Sequence, residues 1–253
     1  MIEVREVSYS YTQGDRPVTI FSSCSHTFEK KQVHAIIGHS GCGKTTLLYL
    51  LSGLLQPSAG SLSFDGNDLG LRQSNRAIIL QDFGLLPWKR VYDNIALGLH
   101  VRKEPKEVIA EKVTRIMQEI EISSLSRSFP SQLSGGEKQR CAIARAVVTE
   151  PDLLLMDEPF SSLDAMNREN MQELLLATQR RHGMTCIMVT HSIEEAVYLS
   201  DSIHVMERDG QGSTVFLPTI ENTHQKFDGY RKSPEYFATC VQLRKLLEKG
   251  NAR

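Results

Sequence analysis

The sequence predicts an α/β protein with a mostly parallel central sheet, an antiparallel β edge near the N-terminus and a helical subdomain. Short apolar runs alternate with helical segments along most of the chain. This alternation is typical of parallel strands covered by helices on both faces. Between residues 82 and 150 the periodicity is helical, which indicates a separate helical part.

The individual elements follow from local patterns. Alternating apolar and polar residues predict a strand at Ile2–Val7. Short apolar runs predict further strands, of which the last is expected to be the final core strand: Val33–Ile37, Ser61–Phe64, Ala77–Leu80, Leu153–Met156, Thr185–Thr190 and Ile203–Met206. A period of 3.6 residues and helix-capping residues predict helices at 45–51, 105–121, 135–148, 167–181, 193–199 and 234–249. We therefore expect a core formed by residues 1–81 and 151–210, a helical subdomain at 82–150, and a tail at 211–253 that ends in a helix.

Composition and charge narrow the functional classes. The chain has 253 residues and a net charge of −1, so we expect no nucleic-acid partner. Its five cysteines lack metal-ligand spacing and are expected to be reduced thiols of a cytosolic protein. We expect no signal peptide, and no apolar run approaches the roughly 18 residues that a membrane-spanning helix needs.

A glycine-rich loop between a predicted strand and a predicted helix is the strongest motif. It matches G-x-x-x-x-G-K-[ST] and consists of Gly38, His39, Ser40, Gly41, Cys42, Gly43, Lys44 and Thr45. Successive backbone N–H groups of such a loop bind phosphate at the positive end of the following helix. Lys44 is expected to neutralise the β- and γ-phosphates, and the Thr45 hydroxyl to bind Mg²⁺. The loop predicts a nucleotide site, and the fold is that of a P-loop NTPase.

Two adjacent carboxylates follow the buried strand at 153–156. Ligands of open α/β sheets bind at the carboxyl ends of the strands, which is also the edge that carries the phosphate loop. Asp157 suits Mg²⁺, directly or through water, and Glu158 suits orienting or deprotonating the attacking water. The alternative is an ordinary turn or helix-entry signal.

A second glycine-rich helix start lies in the predicted helical subdomain. Ser134, Gly135, Gly136 and Glu137 form a second candidate anion site by the same reasoning as the phosphate loop. The alternative is a capping box, in which Ser134 and Glu137 satisfy each other's backbone N–H groups. Both interpretations are compatible, since a cap does not require two glycines.

Three further polar or aromatic residues are candidates. Gln81 and His191 each end a predicted strand, where they fit a pair of γ-phosphate and metal sensors or are simply polar residues at the rim. Tyr11 either stacks on an adenine ring or belongs to the core.

With these motifs in this order, the chain resembles the ATP-binding subunit of an ABC transporter over residues 2–207. Each family motif has its counterpart here: the A-loop at Tyr11, Walker A at Gly38–Thr45, the Q-loop at Gln81, the signature at Leu133–Glu137, Walker B at Leu153–Glu158, the D-loop at Ser161–Asp164 and the switch histidine at His191. His39 departs from the family, which commonly has proline at this position.

The resemblance implies a mechanism and partners. ATP and Mg²⁺ are the expected cofactors, with Glu158, His191 and Lys44 as catalytic residues and Thr45, Gln81 and Asp157 as metal-binding residues. Thr46, Glu137 and Asp164 complete the nucleotide-binding set. A homodimer is expected in which Ser134, Gly135 and Gly136 contact the γ-phosphate bound to the other subunit. ATP would close this head-to-tail dimer and hydrolysis would open it.

The resemblance also implies a place in the cell and a transport role. The subunit would lie at the cytoplasmic face of the membrane, bound to transmembrane permease subunits and served indirectly by a solute-binding protein. The segment Gln81–Trp88 is similar to importers of nitrate, sulfonates, taurine and pyrimidine precursors. In that family it borders the groove for the membrane subunit, although its apolar side chains could instead pack within the subdomain. An exporter ATPase or a soluble non-transport ABC ATPase is the alternative.

Overall fold

The computed structural model describes residues 1–14, 16–69, 75–209, 212–222 and 229–250. The chain divides into two compact units: residues 1–74 with 185–253 form the first, and residues 75–184 form the second. The predicted helical subdomain at 82–150 falls within the range of the second unit. The predicted tail boundary at residue 211 and the last three residues lie outside the described residues.

The strands, in chain order, are β1 (Ile2–Gln13), β2 (Arg16–Phe28), β3 (Val33–Gly38), β4 (Ala59–Phe64), β5 (Asn67–Asp68), β6 (Arg76–Ile79), β7 (Leu153–Asp157), β8 (Thr185–Val189), β9 (Ser202–Arg208), β10 (Thr214–Phe216) and β11 (Ile220–Glu221). The α-helices are α1 (Lys44–Ser52), α2 (Val91–Val101), α3 (Lys106–Glu119), α4 (Gly135–Val147), α5 (Ala165–His182), α6 (Ile193–Leu199) and α7 (Pro234–Gly250). In the described residues, every helix predicted from the sequence is present, and α2 is an addition to that set.

In the first unit, β3 runs parallel to both β8 and β9. Nearly every residue of these strands is buried because both faces of a parallel sheet are covered, and the buried residues include the polar His34 and His204. The strands β10 and β11 each pair antiparallel with β9, so the prediction that residues 203–206 form the final core strand is wrong. Their few residues carry too little alternation to be read as strands from the sequence.

The predicted antiparallel β edge is confirmed. It is a four-stranded sheet in the order β2-β1-β4-β5, and the long strands β1 and β2 pair over nearly their whole length with register shifts along the way. In β1, Ile2, Val4 and Val7 are buried although their spacing is uneven. The pairing with β2 shifts in register between Val4 and Val7, which keeps all three side chains in the core.

The second unit combines one parallel strand pair with helices. Ile79 of β6 lies opposite Met156 of β7. Helix α3 buries Ile109, Val113 and Ile116 along one stripe, which is the 3.6-residue pattern that predicted it. The α/β fold class is thus confirmed, with parallel strands in both units. Among the described residues, the helices are too short or too polar to cross a bilayer.

Candidate nucleotide-binding site

The glycine-rich loop lies between β3 and α1, at the carboxyl end of β3. A Cβ atom on Gly38 would come within 2.1 Å of the Met206 carbonyl oxygen. Gly43 has φ +94°, and a Cβ atom there would lie 2.6 Å from Cγ2 of Ile20. Both glycines are therefore required by the fold as well as by the motif, because no side chain fits at either position.

Lys44 begins α1 and folds back across the loop. Its Nζ donates hydrogen bonds to the carbonyl oxygens of Gly38 (2.8 Å) and His39 (3.0 Å). Gly43 is the N-cap, and no acidic residue lies in the first turn of α1. The ammonium group thus adds to the positive end of the helix dipole, which makes this loop a favourable place for an anion.

Neighbouring strands hold the outer side of the loop. Thr214 on β10 donates a hydrogen bond from Oγ1 to the Cys42 carbonyl oxygen (2.7 Å), and Arg208 on β9 donates from Nε to the Gly41 carbonyl oxygen (3.3 Å). Ser40 is exposed. Cys42 is buried, and burial raises the pKa of its thiol. The loop is therefore fixed from outside before any ligand binds.

Tyr11 contacts the start of α1. Its hydroxyl lies 3.2 Å from Oγ1 of Thr46, which is buried, whereas Thr45 beside it is exposed. The Tyr11 ring is 39% exposed and meets the Tyr9 ring edge to face, with the centroids 4.9 Å apart. An aromatic ring in this position is not core, and it is available for stacking beside the phosphate loop.

His191 lies just after β8, at the same edge of the sheet as the phosphate loop. Val189 of β8 pairs with Ile36 of β3, so the chains that leave these two strands start at the same level. His191 is exposed. The segment around it is fixed because Thr190 donates to Glu195 Oε2 (2.7 Å) and Ser192 caps α6.

In the second unit, the structure brings Gln81 and Glu158 together. Nε2 of Gln81 donates to Oε2 of Glu158 over 3.4 Å, since β6 and β7 are neighbouring parallel strands. Asp157 is the last residue of β7 and is only 6% exposed. Glu158 has φ +46°, a strained value for a residue with a side chain, and Ser161 holds its carbonyl oxygen with two hydrogen bonds. The turn therefore separates the two carboxylates into different environments.

The second glycine-rich helix start is a complete capping box. Ser134 Oγ accepts a hydrogen bond from the Glu137 backbone N–H, and Glu137 Oε2 accepts from the Ser134 backbone N–H (2.8 Å). A Cβ atom on Gly135 or Gly136 would meet its nearest neighbours at 3.5 and 3.7 Å, which is ordinary van der Waals contact. The cap interpretation thus explains Ser134 and Glu137, but packing within this chain does not require either glycine.

Asp164 has a structural role in this chain. It is the N-cap of α5, and its carboxylate accepts hydrogen bonds from the backbone N–H (3.0 Å) and the side-chain amide of Asn167. The backbone N–H of Asn167, and then its side chain, hold the pKa of Asp164 below its usual range. Any contact with nucleotide would come in addition to this cap.

The buried Asn94 and the half-buried Arg145, to which the sequence analysis gave no role, shape the loop before α2. Asn94 accepts from the Leu86 N–H (2.8 Å) and donates to the carbonyl oxygens of Leu86, Lys89 and Arg90. Arg145 donates to the carbonyl oxygens of Phe83 and Gly84, both at 2.6 Å. The sequence signal for Asn94 was a polar residue on the buried face of a helix, next to apolar neighbours.

This loop presents one large apolar side chain to solvent. Trp88 is 71% exposed, whereas Phe83 is 8% exposed and packs inside. Leu85 and Leu86 are half-buried. The predicted apolar patch is therefore centred on Trp88, on a backbone that Asn94 holds rigidly.

The donor groups match the ligands that the site is expected to hold. The first unit supplies an ammonium group and a backbone cradle that side chains would fill, which suits phosphate. In the second unit, the Asp157 carboxylate and the Gln81 amide offer hard oxygen donors of the kind that Mg²⁺ prefers. In the first unit, the Thr45 hydroxyl is a donor of the same kind.

Comparison with protein families gives one match, to a family described as ABC transporter, over residues 21–161. Among curated relatives, the taurine import ATP-binding protein TauB of Pseudomonas aeruginosa is 37% identical over 201 residues, 79% of this chain and 76% of that protein. The spermidine/putrescine import ATP-binding protein PotA of Pasteurella multocida is 40% identical over 82% of this chain, which corresponds to 56% of that protein. The bicarbonate transport ATP-binding protein CmpC of Synechococcus elongatus is 44% identical over 72% of this chain, but only 28% of its own length is matched.

Solved structures give the same fold. The chain resembles the dimeric ATP-binding cassette MJ0796 bound to ADP and Pi, with a TM-score of 0.76 and 25% identity, covering 88% of this chain and 99% of the other. It also resembles cbiO1 from Clostridium perfringens, part of the ABC transporter complex cbiONQ, with a TM-score of 0.77 and 26% identity, covering 96% and 94%.

Proposed function

Because the chain belongs to the ABC transporter family, we propose that it is the ATP-hydrolysing subunit of an importer, which works as a head-to-tail dimer on separate membrane subunits. The observation that carries the proposal is the contrast between its two glycine-rich helix starts. At the phosphate loop, the chain's own packing requires glycine, whereas at the start of α4 it leaves room for a side chain. Glycine at the second place is explained if something outside this chain must approach the backbone there.

ATP binding is assigned mainly to the first unit. The backbone N–H groups of residues 38–45 surround the phosphates, Lys44 neutralises the β- and γ-phosphates, and Tyr11 stacks on the adenine. Lys44 first releases the carbonyl oxygens of Gly38 and His39 to which it is bonded. Thr45, Gln81 and Asp157 would hold Mg²⁺, which when bound supplies charge neutralisation and orientation of the phosphate oxygens.

Hydrolysis is assigned to Glu158, with His191 and Gln81 in support. Glu158 accepts a proton from the attacking water as the oxygen–phosphorus bond forms, while the bond between the γ-phosphorus and the bridging oxygen breaks to give ADP and phosphate. Gln81 donates to Glu158 and so orients its carboxylate. His191 donates to the γ-phosphate.

The second anion site is assigned to the partner's nucleotide. Ser134, Gly135 and Gly136 present the N–H groups of α4 to the γ-phosphate held by the other copy, with Glu137 fixing Ser134 and Asp164 lying at the interface. The resemblance to a cassette solved as a dimer supports this arrangement. ATP thus joins two copies, and its hydrolysis lets them separate.

The transport role draws on the relatives. The taurine relative is named as an import protein, and so is the aliphatic sulfonates import ATP-binding protein SsuB of Pseudomonas entomophila, which is 39% identical over 77% of this chain and 71% of that protein. We therefore propose uptake of a small sulfonate-like or related anionic solute. A solute-binding protein delivers the solute to the permease, and this subunit lies at the cytoplasmic face of the membrane. Trp88, held out by the Asn94 network, is the proposed contact with the permease.

Glu158→Gln tests the chemistry. The amide cannot accept the proton from water, so we expect ATP hydrolysis to fall by about a hundredfold or more while ATP binding persists and a dimer accumulates. Turnover and ATP-dependent dimerisation by size-exclusion chromatography measure the two effects. Glu150→Gln is the control, because the Glu150 carboxylate is exposed and forms ion pairs with Lys112 and Arg115. Hydrolysis near the wild-type rate in Glu158→Gln would contradict the assignment.

Trp88→Asp tests the membrane partner. A charge at the centre of the apolar patch should prevent co-purification with the permease, and ATP binding should be unchanged. Phe237→Asp is a matched control, since Phe237 is an aromatic residue of α7 that is 57% exposed. If both variants bind the permease equally well, the contact does not lie at Trp88.

A further inference from the structure

The phosphate loop is tied to the C-terminal helix by one hydrogen bond. Nε2 of His39 lies 2.9 Å from the backbone carbonyl oxygen of Leu247, 208 residues further along the chain. A carbonyl oxygen only accepts, so Nε2 carries the hydrogen. Leu247 lies near the C-terminal end of α7, where the helix dipole places partial negative charge on the carbonyl oxygens. His39 therefore supplies a partner for the negative end of this helix.

The same residue also holds the catalytic lysine. The His39 carbonyl oxygen accepts a hydrogen bond from Lys44 Nζ (3.0 Å), while its ring holds α7. The other outward carbonyl groups of the loop, at Gly41 and Cys42, are held by β9 and β10. The loop segment before Gly41 has only the α7 contact on its outer side among the hydrogen bonds described, so this contact completes the loop's support.

Helix α7 is itself anchored firmly enough to act as a support. Leu243 is completely buried, and the Tyr236 hydroxyl donates to the Glu194 carbonyl oxygen (3.4 Å) on α6. Arg244 pairs with the Glu194 carboxylate at 3.7 Å. These contacts all precede Leu247, so the last turn can be removed while the rest of α7 stays in place.

We propose that α7 is a positioning element for the nucleotide site, and that His39 is the positioning residue through which it acts. This inference rests on the proposed ATPase function. The contact holds the first half of the phosphate loop in the conformation that receives ATP, so its loss weakens ATP binding and raises KM. The turnover number changes less, because the ring of His39 takes no part in proton transfer.

A double-mutant cycle that includes the full-length chain tests the proposal. The four proteins are the wild type, His39→Ala, a chain that ends after Arg244, and the combination. Each single change should raise the MgATP dissociation constant about threefold to tenfold, the value of one hydrogen bond. The combination should be no worse than either single change. His39→Gln, whose amide can donate to the same carbonyl, should restore affinity, and a chain lacking only 251–253 should behave as wild type.

Two results would overturn the proposal. One is an unchanged dissociation constant in His39→Ala, and the other is a fully additive effect in the combined variant, because either means that the ring and the helix end do not act together. A change in thermal stability with no change in ATP affinity would likewise assign the contact a merely structural role. If the wild type itself bound no ATP, the proposed function would fall, and this inference with it.

Discussion

At the residue scale, the buried His34 and His204 and the half-buried His26 form an unusual chain in the first unit. His34 Nε2 donates to the Glu29 carbonyl oxygen (2.7 Å), so His34 Nδ1 accepts from His204 Nε2 (3.0 Å). His204 Nδ1 then accepts from His26 Nε2 (2.8 Å) and faces Thr219 Oγ1 (3.2 Å). Each ring is therefore neutral with its hydrogen on Nε2, and the order of acceptors fixes the whole chain.

Burial keeps these rings neutral in the folded protein. Burial, with the neighbouring His34, lowers the pKa of His26 to about 4, and burial with His26 and His34 lowers that of His204 to about 2. Burial also lowers the pKa of His34, against the opposing effect of its hydrogen bond to Glu29 and of the carboxylates of Asp201, Glu221 and Glu29. In the unfolded chain the same rings protonate near pH 6.5.

The pH dependence of stability follows from this difference. Between pH 6.5 and 5 the unfolded state binds protons that the folded state does not, so the free energy of unfolding falls as pH falls. Each neutral histidine contributes on the order of 1 kcal/mol per pH unit in this window. His26→Phe keeps the stacking on Phe216 but removes one of the groups that bind a proton only in the unfolded state. Urea unfolding at several pH values should therefore give a shallower slope for this variant, and an equal slope would refute the argument.

At the scale of single elements, the start of α4 allows stability and function to be separated. Gly136 lies in the first turn, where a carboxylate is favoured by the helix dipole, and a Cβ atom would make only ordinary contacts. Gly136→Asp should leave the thermal unfolding midpoint unchanged or raised, because the folded chain has room for it. The same charge would repel the partner's γ-phosphate, so ATP-dependent dimerisation should be lost.

The measurement is dimer formation with ATP in the Glu158→Gln background, in which the dimer should accumulate. Gly136→Asn is the matched control, as it adds a side chain of the same size without the charge and should dimerise more than Gly136→Asp. A Gly136→Asp variant that dimerises as well as its parent would show that no phosphate approaches this helix.

The elements that the sequence predicted are those with a strong local signal. The phosphate loop, the buried parallel strands and the amphipathic α3 follow from periodicity and glycine spacing over a few residues. The strands β2, β5, β10 and β11 were not predicted. In β2, buried and exposed residues do not alternate regularly, and its pairing with β1 shifts in register. The other three strands have only two or three residues and gain their pairing from β4 or β9. Their stability comes from a neighbour already in place, which a local pattern does not record.

The sequence motifs name the residues of the candidate site but not the contacts between them. Gly38 to Thr45, Asp157 and Glu158 are recognisable from the motifs alone, whereas the bonds from Gln81 to Glu158 and from His39 to Leu247 span 77 and 208 residues. Such contacts depend on the path of the whole chain. Asp164 is the reverse case. Its motif predicts contact with nucleotide, and in the structure the residue is the N-cap of α5.

At the scale of the whole molecule, the proposed function requires two copies. Each proposed site combines the phosphate loop of one copy with the α4 start of the other. This arrangement predicts how a mixture of two inactive variants should behave. Lys44→Ala destroys the phosphate loop of its own chain, and Gly136→Asp destroys the α4 start of its own chain. Any dimer of one variant alone would carry a defect in both sites, so neither variant should hydrolyse ATP.

Mixing the two variants should restore activity. In a dimer of one Lys44→Ala chain and one Gly136→Asp chain, both defects fall in the same site. The other site combines an intact phosphate loop with an intact α4 start. In an equal mixture, random pairing makes half of the dimers mixed, and one of the two sites in each mixed dimer is intact. About one quarter of all sites should therefore be active. Steady-state ATP hydrolysis measures the recovery, with each variant at the same total concentration as the baseline. A mixture as inactive as its components would mean that each chain builds its site alone, since only sites shared between copies can exchange their defects.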